Sequence, residues 1–254
     1  MHEKRSATIV TGGGRGIGRA ISLRMAREGA VVFVGRTEAD LSSVAAEITA
    51  AGSEAGFVVG DVRDPATAAS AVKVVAERGW QLRSLVCNAG IGRSGATESF
   101  DMAAWRDIFA VNVEGAMHFV QACLPTMLGV GQGTICLMSS IAGLKGYSHT
   151  AAYAASKHAL VGLARSLAQE YGKRGIVAVP VCPGFVEGEM TDRTIRGLMD
   201  RRGIGDPEPP ARIAPTNPQR RILPPDDIAD AVAFVCSRAV PSLSGNPLVL
   251  SGGE

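Results

Sequence analysis

The stretch Thr11-Gly12-Gly13-Gly14-Arg15-Gly16-Ile17-Gly18 decides the fold. It follows an apolar run at residues 7–10 that predicts a strand, and it leads into an amphipathic pattern that predicts a helix. Glycines at such a turn let the backbone approach a pyrophosphate, which the free amides and dipole of the helix amino terminus then bind. Any strand-to-helix turn favours glycine, and the spacing is Gly-x-x-x-Gly-x-Gly rather than GxGxxG. Its place after an amino-terminal strand nevertheless predicts a dinucleotide site.

Short apolar runs and longer amphipathic runs alternate along the rest of the chain. The predicted strands are 7–10, 31–34, 57–59, 84–87, 134–138, 176–182 and 247–250, and the predicted helices are 17–28, 38–51, 65–78, 102–128, 151–172 and 226–237. This alternation is typical of a parallel sheet covered on both faces. We therefore predict a single α/β domain over residues 1–254, a Rossmann-type doubly wound parallel sheet of about seven strands.

Two places depart from this pattern. Residues 188–225 are rich in proline, glycine and arginine, which is typical of a functional lid or of a disordered segment. We predict a substrate lid without a long regular element. Pro180 lies inside an apparent core strand, where it removes one hydrogen bond of the sheet, so we expect a bulge or an unpaired carbonyl there.

Composition narrows the function classes. The net charge of +2 argues against a nucleic-acid or membrane partner and favours a small molecule. No apolar run is long enough to span a bilayer, and no signal peptide precedes the first strand. The five cysteines form no CxxC pair, so we expect reduced core thiols in a cytoplasmic protein. The four histidines have no metal-ligand spacing, so we expect no metal site.

The end of the second predicted strand, Gly35-Arg36-Thr37, bears on which dinucleotide is bound. NAD sites usually have an acid here that binds the ribose hydroxyls, whereas a basic residue accommodates the 2′-phosphate of NADP. Arg36 stands at this position, and Arg15 can reach the same phosphate. The alternatives are two solvated surface arginines, or Glu38 turned inward onto the ribose. We predict NADP, with NADPH as its reduced form.

A tyrosine and a lysine share one face of the helix predicted at 151–172. Tyr153 and Lys157 are four residues apart, and a nearby cation lowers the pKa of a phenol. This spacing is common by chance in helices. Ser140 lies just past the strand at 134–138, where the carboxyl ends of parallel strands face a ligand crevice. We predict that Ser140 shares a substrate oxygen with Tyr153 and that Ser139 is structural, although either serine could simply cap a turn.

Together these residues make the sequence resemble the short-chain dehydrogenase/reductase family over nearly its whole length. The matching pieces are TGGGRGIG, Asp61-Val62, Asn88-Ala89-Gly90, Asn112, Ser140, the segment YAASK that contains Tyr153 and Lys157, and Pro183-Gly184. The segments YAASKHALVGL and VCPGFVEGEM are most similar to ketoreductases of acyl or polyketide thioesters.

The resemblance implies a role for each matching position. Asp61 would bind the adenine amino group, Asn112 would hold a water in a proton relay with Lys157, and Tyr153 would exchange the proton. Without the resemblance, Asp61 reads as a helix cap and Asn112 as a buried polar residue. The implied catalytic set is Asn112, Ser140, Tyr153 and Lys157. The cofactor-binding set is Gly12, Gly14, Arg15, Gly16, Ile17, Gly18, Arg36, Thr37, Asp61, Val62, Asn88, Ala89, Gly90, Tyr153, Lys157, Pro183, Gly184 and Val186.

One position departs from the family pattern. The family commonly has a threonine four residues after the glycine of Pro183-Gly184, and this chain has Gly188 there. The contact to the carboxamide or phosphate is therefore lost or comes from Thr191.

The predicted activity is hydride transfer between the nicotinamide and a carbonyl or secondary alcohol. A catalytically idle nucleotide sensor or scaffold is the first alternative, and the complete catalytic set argues against it. A sugar-nucleotide epimerase also uses a tyrosine and lysine, but the short chain and the glycine spacing disfavour it. Apolar residues beyond one face of the helices at 102–128 and 151–172 predict a homodimer or homotetramer: Met117, Phe119, Val120, Leu160, Leu163 and Leu167.

Overall fold

A seven-stranded parallel sheet forms the centre of the protein in a computed structural model that describes residues 4–202 and 217–254. The strand order is β3-β2-β1-β4-β5-β6-β7. The strands are β1 (Ser6–Thr11), β2 (Ala30–Gly35), β3 (Ala55–Val59), β4 (Gln81–Cys87), β5 (Gly133–Met138), β6 (Ile176–Pro183) and β7 (Leu248–Leu250). The order reverses between β1 and β4, and in such sheets a ligand crevice opens at the carboxyl ends of the strands flanking that point.

Helices cover both faces of the sheet, which confirms the predicted fold. They are α1 (Gly16–Met25), α2 (Glu38–Ala50), α3 (Pro65–Glu77), α4 (Met102–Phe109), α5 (Gly115–Val130), α6 (Ala151–Tyr171), α7 (Glu189–Arg202) and α8 (Pro225–Ser237). Buried residues of α3, α5 and α6 form one core, and those of α1, α2 and α8 form a second core on the opposite face. None of the described helices is long and apolar enough to cross a membrane.

The stretch predicted as one helix over 102–128 is helical throughout, but it is not a single α-helix. A π turn, Ala110–Glu114, separates α4 from α5. The side chain of Asn112 within this turn bonds to both backbone polar groups of Ile91, at 2.8 and 3.0 Å, and to Ser156. Such tertiary contacts favour the extra residue of a π turn, which helix propensity alone does not register.

The bulge expected at Pro180 is also absent. Pro180 pairs with Leu137 in an unbroken register between β5 and β6. The amide of Gly184, four residues on and on the same side of the strand, points to β7. The missing N–H of Pro180 therefore faces β7, whose pairing begins only at Val181, so no sheet hydrogen bond is lost.

The segment 188–225 contains more regular structure than predicted. Helix α7 spans fourteen residues of it, because the prolines lie beyond this helix. Leu223 pairs with Val186 and is buried. Residues 203–216 of the predicted lid lie outside the described residues.

Most of the apolar residues used to predict an oligomer lie inside this chain's own core. Phe119, Val120, Leu160 and Leu167 are buried, whereas Met117 is exposed. The buried four are therefore not available to contact a second copy.

Candidate active site

A cleft of about 690 Å³ opens at the carboxyl ends of the strands around the β1–β4 switch point. All eighteen residues predicted to bind the cofactor line it, together with Ser140. Asn112 does not line the cleft and is 1% exposed. The predicted cofactor-binding residues therefore share one cleft. Asn112 lies behind its wall near Lys157, because a Cβ built on Gly90 would lie 3.3 Å from both Asn112 Oδ1 and Lys157 Nζ.

The glycine turn has a shape that side chains would obstruct. Gly12 and Gly16 adopt positive φ angles of 66° and 52°. A Cβ on Gly18 would lie 2.0 Å from the carbonyl oxygen of Gly12. No side chain caps the amino terminus of α1, so its first amides are free to bind an anion. These features fit a pyrophosphate of a dinucleotide.

Two predicted phosphate-binding arginines stand at one end of the cleft. Arg36 is exposed and has no ion-pair partner among the described residues. The guanidinium of Arg15 pairs with the carboxylate of Glu189 on α7, at 3.3 Å. Glu38, the residue that could have replaced Arg36, does not line the cleft. The arginines are therefore placed to meet an anion, and Glu189 competes for one of them.

The predicted adenine-binding carboxylate is already occupied. Asp61 accepts hydrogen bonds from the backbone amide of Arg63, at 2.9 Å, and from its guanidinium, at 2.7 and 3.1 Å. This guanidinium holds the pKa of Asp61 below its usual value, and it also bonds to Asp107 at 2.9 Å. Asp61 lies where the sequence placed it, but in this form of the protein its partner is Arg63.

Asn88 ties β4 to the glycine turn. Its side-chain amide donates to the carbonyls of Thr11 and Gly12, at 3.0 and 3.3 Å. The Thr11 hydroxyl accepts from the amides of Asn88 and Ala89, each at 2.9 Å. These bonds fix the floor of the cleft at the switch point.

Tyr153 and Ser140 meet at the inner end of the cleft. The Ser140 hydroxyl accepts from the amide of Ala142 at 3.1 Å, which orients the serine at the end of β5. Burial raises the pKa of Tyr153, and an interaction with Ser140 lowers it in part. Burial is the largest influence on this pKa, and the predicted lowering by Lys157 is not found.

Lys157 extends beneath the tyrosine ring. Its ammonium lies 5.5 Å from the ring centroid of Tyr153 and donates to the carbonyl of Met138 at 2.7 Å. Lys157 is 5% exposed, and burial lowers its pKa to about 8. Ser139 donates to the backbone carbonyl of Lys157 at 2.8 Å, which fits the predicted structural role of Ser139.

Several residues of this site escaped sequence reasoning. Ser156 accepts a hydrogen bond from Asn112 and donates one to the carbonyl of Tyr153, and its place inside YAASK was the only available signal. No sequence pattern pointed to Glu189 or Arg63. Thr191, which the sequence offered in place of a threonine at Gly188, does line the cleft, and its hydroxyl donates to the carbonyl of Val186.

Comparison with known proteins agrees with this geometry. The pattern of the family described as short chain dehydrogenase matches residues 6–197. The 3-oxoacyl-(acyl-carrier-protein) reductase FabG of Staphylococcus aureus is 33% identical, with 97% of each chain covered. A solved structure of a single-residue variant of actinorhodin polyketide ketoreductase with NADPH has a TM-score of 0.90 and 31% identity, covering 97% of this chain and 96% of the other. Carveol dehydrogenase of Mycobacterium avium in complex with NAD has a TM-score of 0.91 and 30% identity, covering 98% and 96%.

The chain therefore belongs to the short-chain dehydrogenase/reductase family. It is an oxidoreductase of that family, with a nicotinamide cofactor and chemistry at a ketone or CH–OH group.

Proposed function

We propose that this protein is an NADP(H)-dependent reductase that interconverts a ketone and a secondary alcohol. The observation that carries the proposal is the meeting of Ser140, Tyr153 and Lys157 at the inner end of the cleft that all eighteen cofactor-binding positions line. The bound nicotinamide supplies or accepts the hydride. An idle sensor would not need these side chains at the end of its nucleotide cleft.

The chain's own residues handle the substrate oxygen and its proton. The hydroxyls of Ser140 and Tyr153 bind the oxygen, and the Tyr153 phenol gives up or takes the proton. Lys157 holds a positive charge beneath the ring, with its ammonium fixed by the Met138 carbonyl. Asn112 is a positioning residue, because its side-chain hydrogen bonds to Ile91 and Ser156 fix the π turn against α6.

The preference for NADP(H) rests on charge at the exposed end of the cleft. Arg36 lines this end, and Glu38 does not. A charge-assisted hydrogen bond contributes roughly 1.5–3 kcal/mol, which corresponds to about 10- to 150-fold in affinity. The actinorhodin ketoreductase, whose structure contains NADPH, supports this preference. The carveol dehydrogenase was crystallised with NAD, so the preference needs a direct test.

The substrate class that we propose is an acyl or polyketide thioester, as the names of FabG and the actinorhodin enzyme suggest. Arg193 lines the cleft and could meet a phosphate of a CoA or carrier-protein arm. Its guanidinium donates to the backbone of its own helix at 3.3 Å, so a solvated arginine is the simpler alternative. Helix α7, which contributes Glu189, Met190 and Thr191 to the lining, would form the described part of the lid.

The experiment is a steady-state assay of NADPH and NADH oxidation with a panel of simple ketones and 3-oxoacyl thioesters. We expect turnover with NADPH, a higher kcat/KM for NADPH than for NADH, and loss of this preference in Arg36→Asp. Arg27→Asp is the matched control, because Arg27 is exposed but does not line the cleft. Equal kcat/KM values for both cofactors contradict the cofactor assignment, and absence of turnover with every ketone favours the sensor.

We also propose a homodimer or homotetramer, as is usual in this family. Exposed apolar residues such as Met117 on α5 and Phe234 on α8 would lie at its interfaces. A light-scattering mass of one subunit would contradict this assembly.

A further inference from the structure

A second cavity lies at the other end of the sheet from the active site. It measures about 400 Å³ and is bordered by the start of β1, the start of β4 and the end of α8. The thiol of Cys236 on α8 lines it, together with Arg83 and Arg238. Cys236 is partly exposed, whereas the other four cysteines are buried.

The Cys236 thiol has a second thiol directly behind it. The sulfur of Cys136, on β5, lies 3.8 Å from the sulfur of Cys236. Helix α8 packs on β5, and both residues lie on the face of the sheet covered by the second core. A disulfide requires the sulfurs to approach to roughly 2 Å, so they must close by roughly 1.8 Å.

The surroundings distinguish Cys236 chemically from the other cysteines. A hydrogen bond from the Cys136 thiol lowers the pKa of Cys236 against the opposing effect of burial, and an interaction with Ser84 also lowers it. Burial raises the pKa of Cys87 to about 12 and raises those of Cys123 and Cys182.

Two cations line the cavity beside Cys236. Arg238 donates only to backbone carbonyls and Arg83 to Gln132, so neither cation has a carboxylate partner among the described residues. Glu28, the acid among the described lining residues, is paired with Arg24. Cys236 is thus a partly exposed residue that lines a cavity with two arginines, and reactive cysteines occur next to such cations.

We propose that Cys236 is a peroxide-reactive site and that Cys136 resolves it to an intramolecular disulfide joining α8 to β5. The Cys236 thiolate attacks one oxygen of hydrogen peroxide, the S–O bond forms, the O–O bond breaks, and the released hydroxide takes up a proton to become water. The Cys136 sulfur then attacks the Cys236 sulfenic acid, the S–S bond forms, the S–O bond breaks, and a second water leaves. Two thiols and one peroxide give one disulfide and two waters, and a thiol reductant reverses the change.

The test counts thiols in the intact protein after treatment with hydrogen peroxide, followed by denaturation and alkylation. We expect the wild type to lose two of its five alkylatable thiols and to yield a peptide that joins Cys136 to Cys236. Cys236→Ser should keep all of its remaining thiols. Cys136→Ser should accumulate a sulfenic acid at Cys236 that a 1,3-dione traps. Cys123→Ser, a substitution at a buried thiol of the other core that does not line this cavity, should lose two of its four thiols.

Three results overturn the proposal. One is a wild type that keeps all five thiols at a peroxide concentration that oxidises free cysteine. Another is a disulfide that joins two copies of the chain or involves a different pair. The third is loss of thiols in Cys236→Ser equal to that in the wild type. The wild-type measurement decides even if a serine variant fails to fold.

Discussion

Replacing Glu189 by glutamine tests whether Arg15 helps to bind the 2′-phosphate of NADP(H). In the structure the Arg15 guanidinium is 3.3 Å from the Glu189 carboxylate, across the opening of the cleft. If Arg15 is to bind the phosphate, this ion pair must first break. The variant removes the competing carboxylate and leaves an amide of nearly the same shape.

The magnitude follows from the exposure of the two side chains, 65% for Arg15 and 69% for Glu189. An ion pair this exposed contributes about 0.2–1 kcal/mol, because water and salt screen it. Its removal should therefore tighten NADPH binding by about 1.5- to 5-fold. NADH has no 2′-phosphate, so its affinity should not change. The loss of carboxylate–phosphate repulsion acts in the same direction for NADPH.

The assay is a titration of nicotinamide fluorescence with both cofactors at fixed ionic strength. Asp192→Asn is the control, because Asp192 is an exposed acid of the same helix that does not line the cleft. It removes the same charge without freeing Arg15. Equal tightening of NADH and NADPH, or weaker NADPH binding in Glu189→Gln, would refute the reasoning.

Three further variants test other parts of the site. Tyr153→Phe should lower kcat by more than tenfold and leave NADPH binding intact. A smaller effect, less than about 1.4 kcal/mol of activation free energy, would mean that the phenol exchanges no essential proton. Tyr171→Phe, on the same helix, is the control and should be active. Gly18→Ala should abolish NADPH binding in a fluorescence titration, because its Cβ would lie 2.0 Å from the Gly12 oxygen, whereas Gly129→Ala meets no atom within 4 Å. Lys157 has a pKa of about 8, below the usual 10.5, so between these pH values the unfolded state binds a proton that the folded state does not. The free energy of unfolding, measured in denaturant titrations relative to Lys157→Met, should therefore rise from pH 8 to 10.5. A stability difference that is independent of pH would contradict the lowered pKa.

The parts of this fold that local pattern controls were predictable from the sequence. All seven strands occur where apolar runs predicted them, and Asp64-Pro65 begins α3 with the Asp64 carboxylate capping the amide of Ala66. The cleft residues were predictable for a related reason. Most of them lie at or just after strand ends, which meet at one edge of a parallel sheet, whereas Tyr153 and Lys157 were found from their spacing on α6.

The parts that depend on contacts distant in sequence were not predictable. The π turn at Asn112 depends on Ile91 and Ser156, which lie 21 and 44 residues away. The pair of Arg15 with Glu189 joins residues 174 positions apart. Pro180 is tolerated because of where β7 begins to pair, which the sequence of β6 does not contain.

Burial changes the pKa of Tyr153 in the opposite direction to the one that the sequence predicted. The sequence placed a cation four residues away and predicted an easily ionised phenol. In the folded chain burial raises the pKa of Tyr153 and lowers that of Lys157, because desolvation disfavours the charged form of each group. At neutral pH the resting tyrosine is therefore the neutral phenol, which is the form that donates a proton. Alcohol oxidation needs the phenolate as a base, whereas carbonyl reduction needs the phenol as an acid. In the role proposed for Tyr153, burial therefore stabilises the acid form of this side chain and disfavours the phenolate that alcohol oxidation would need.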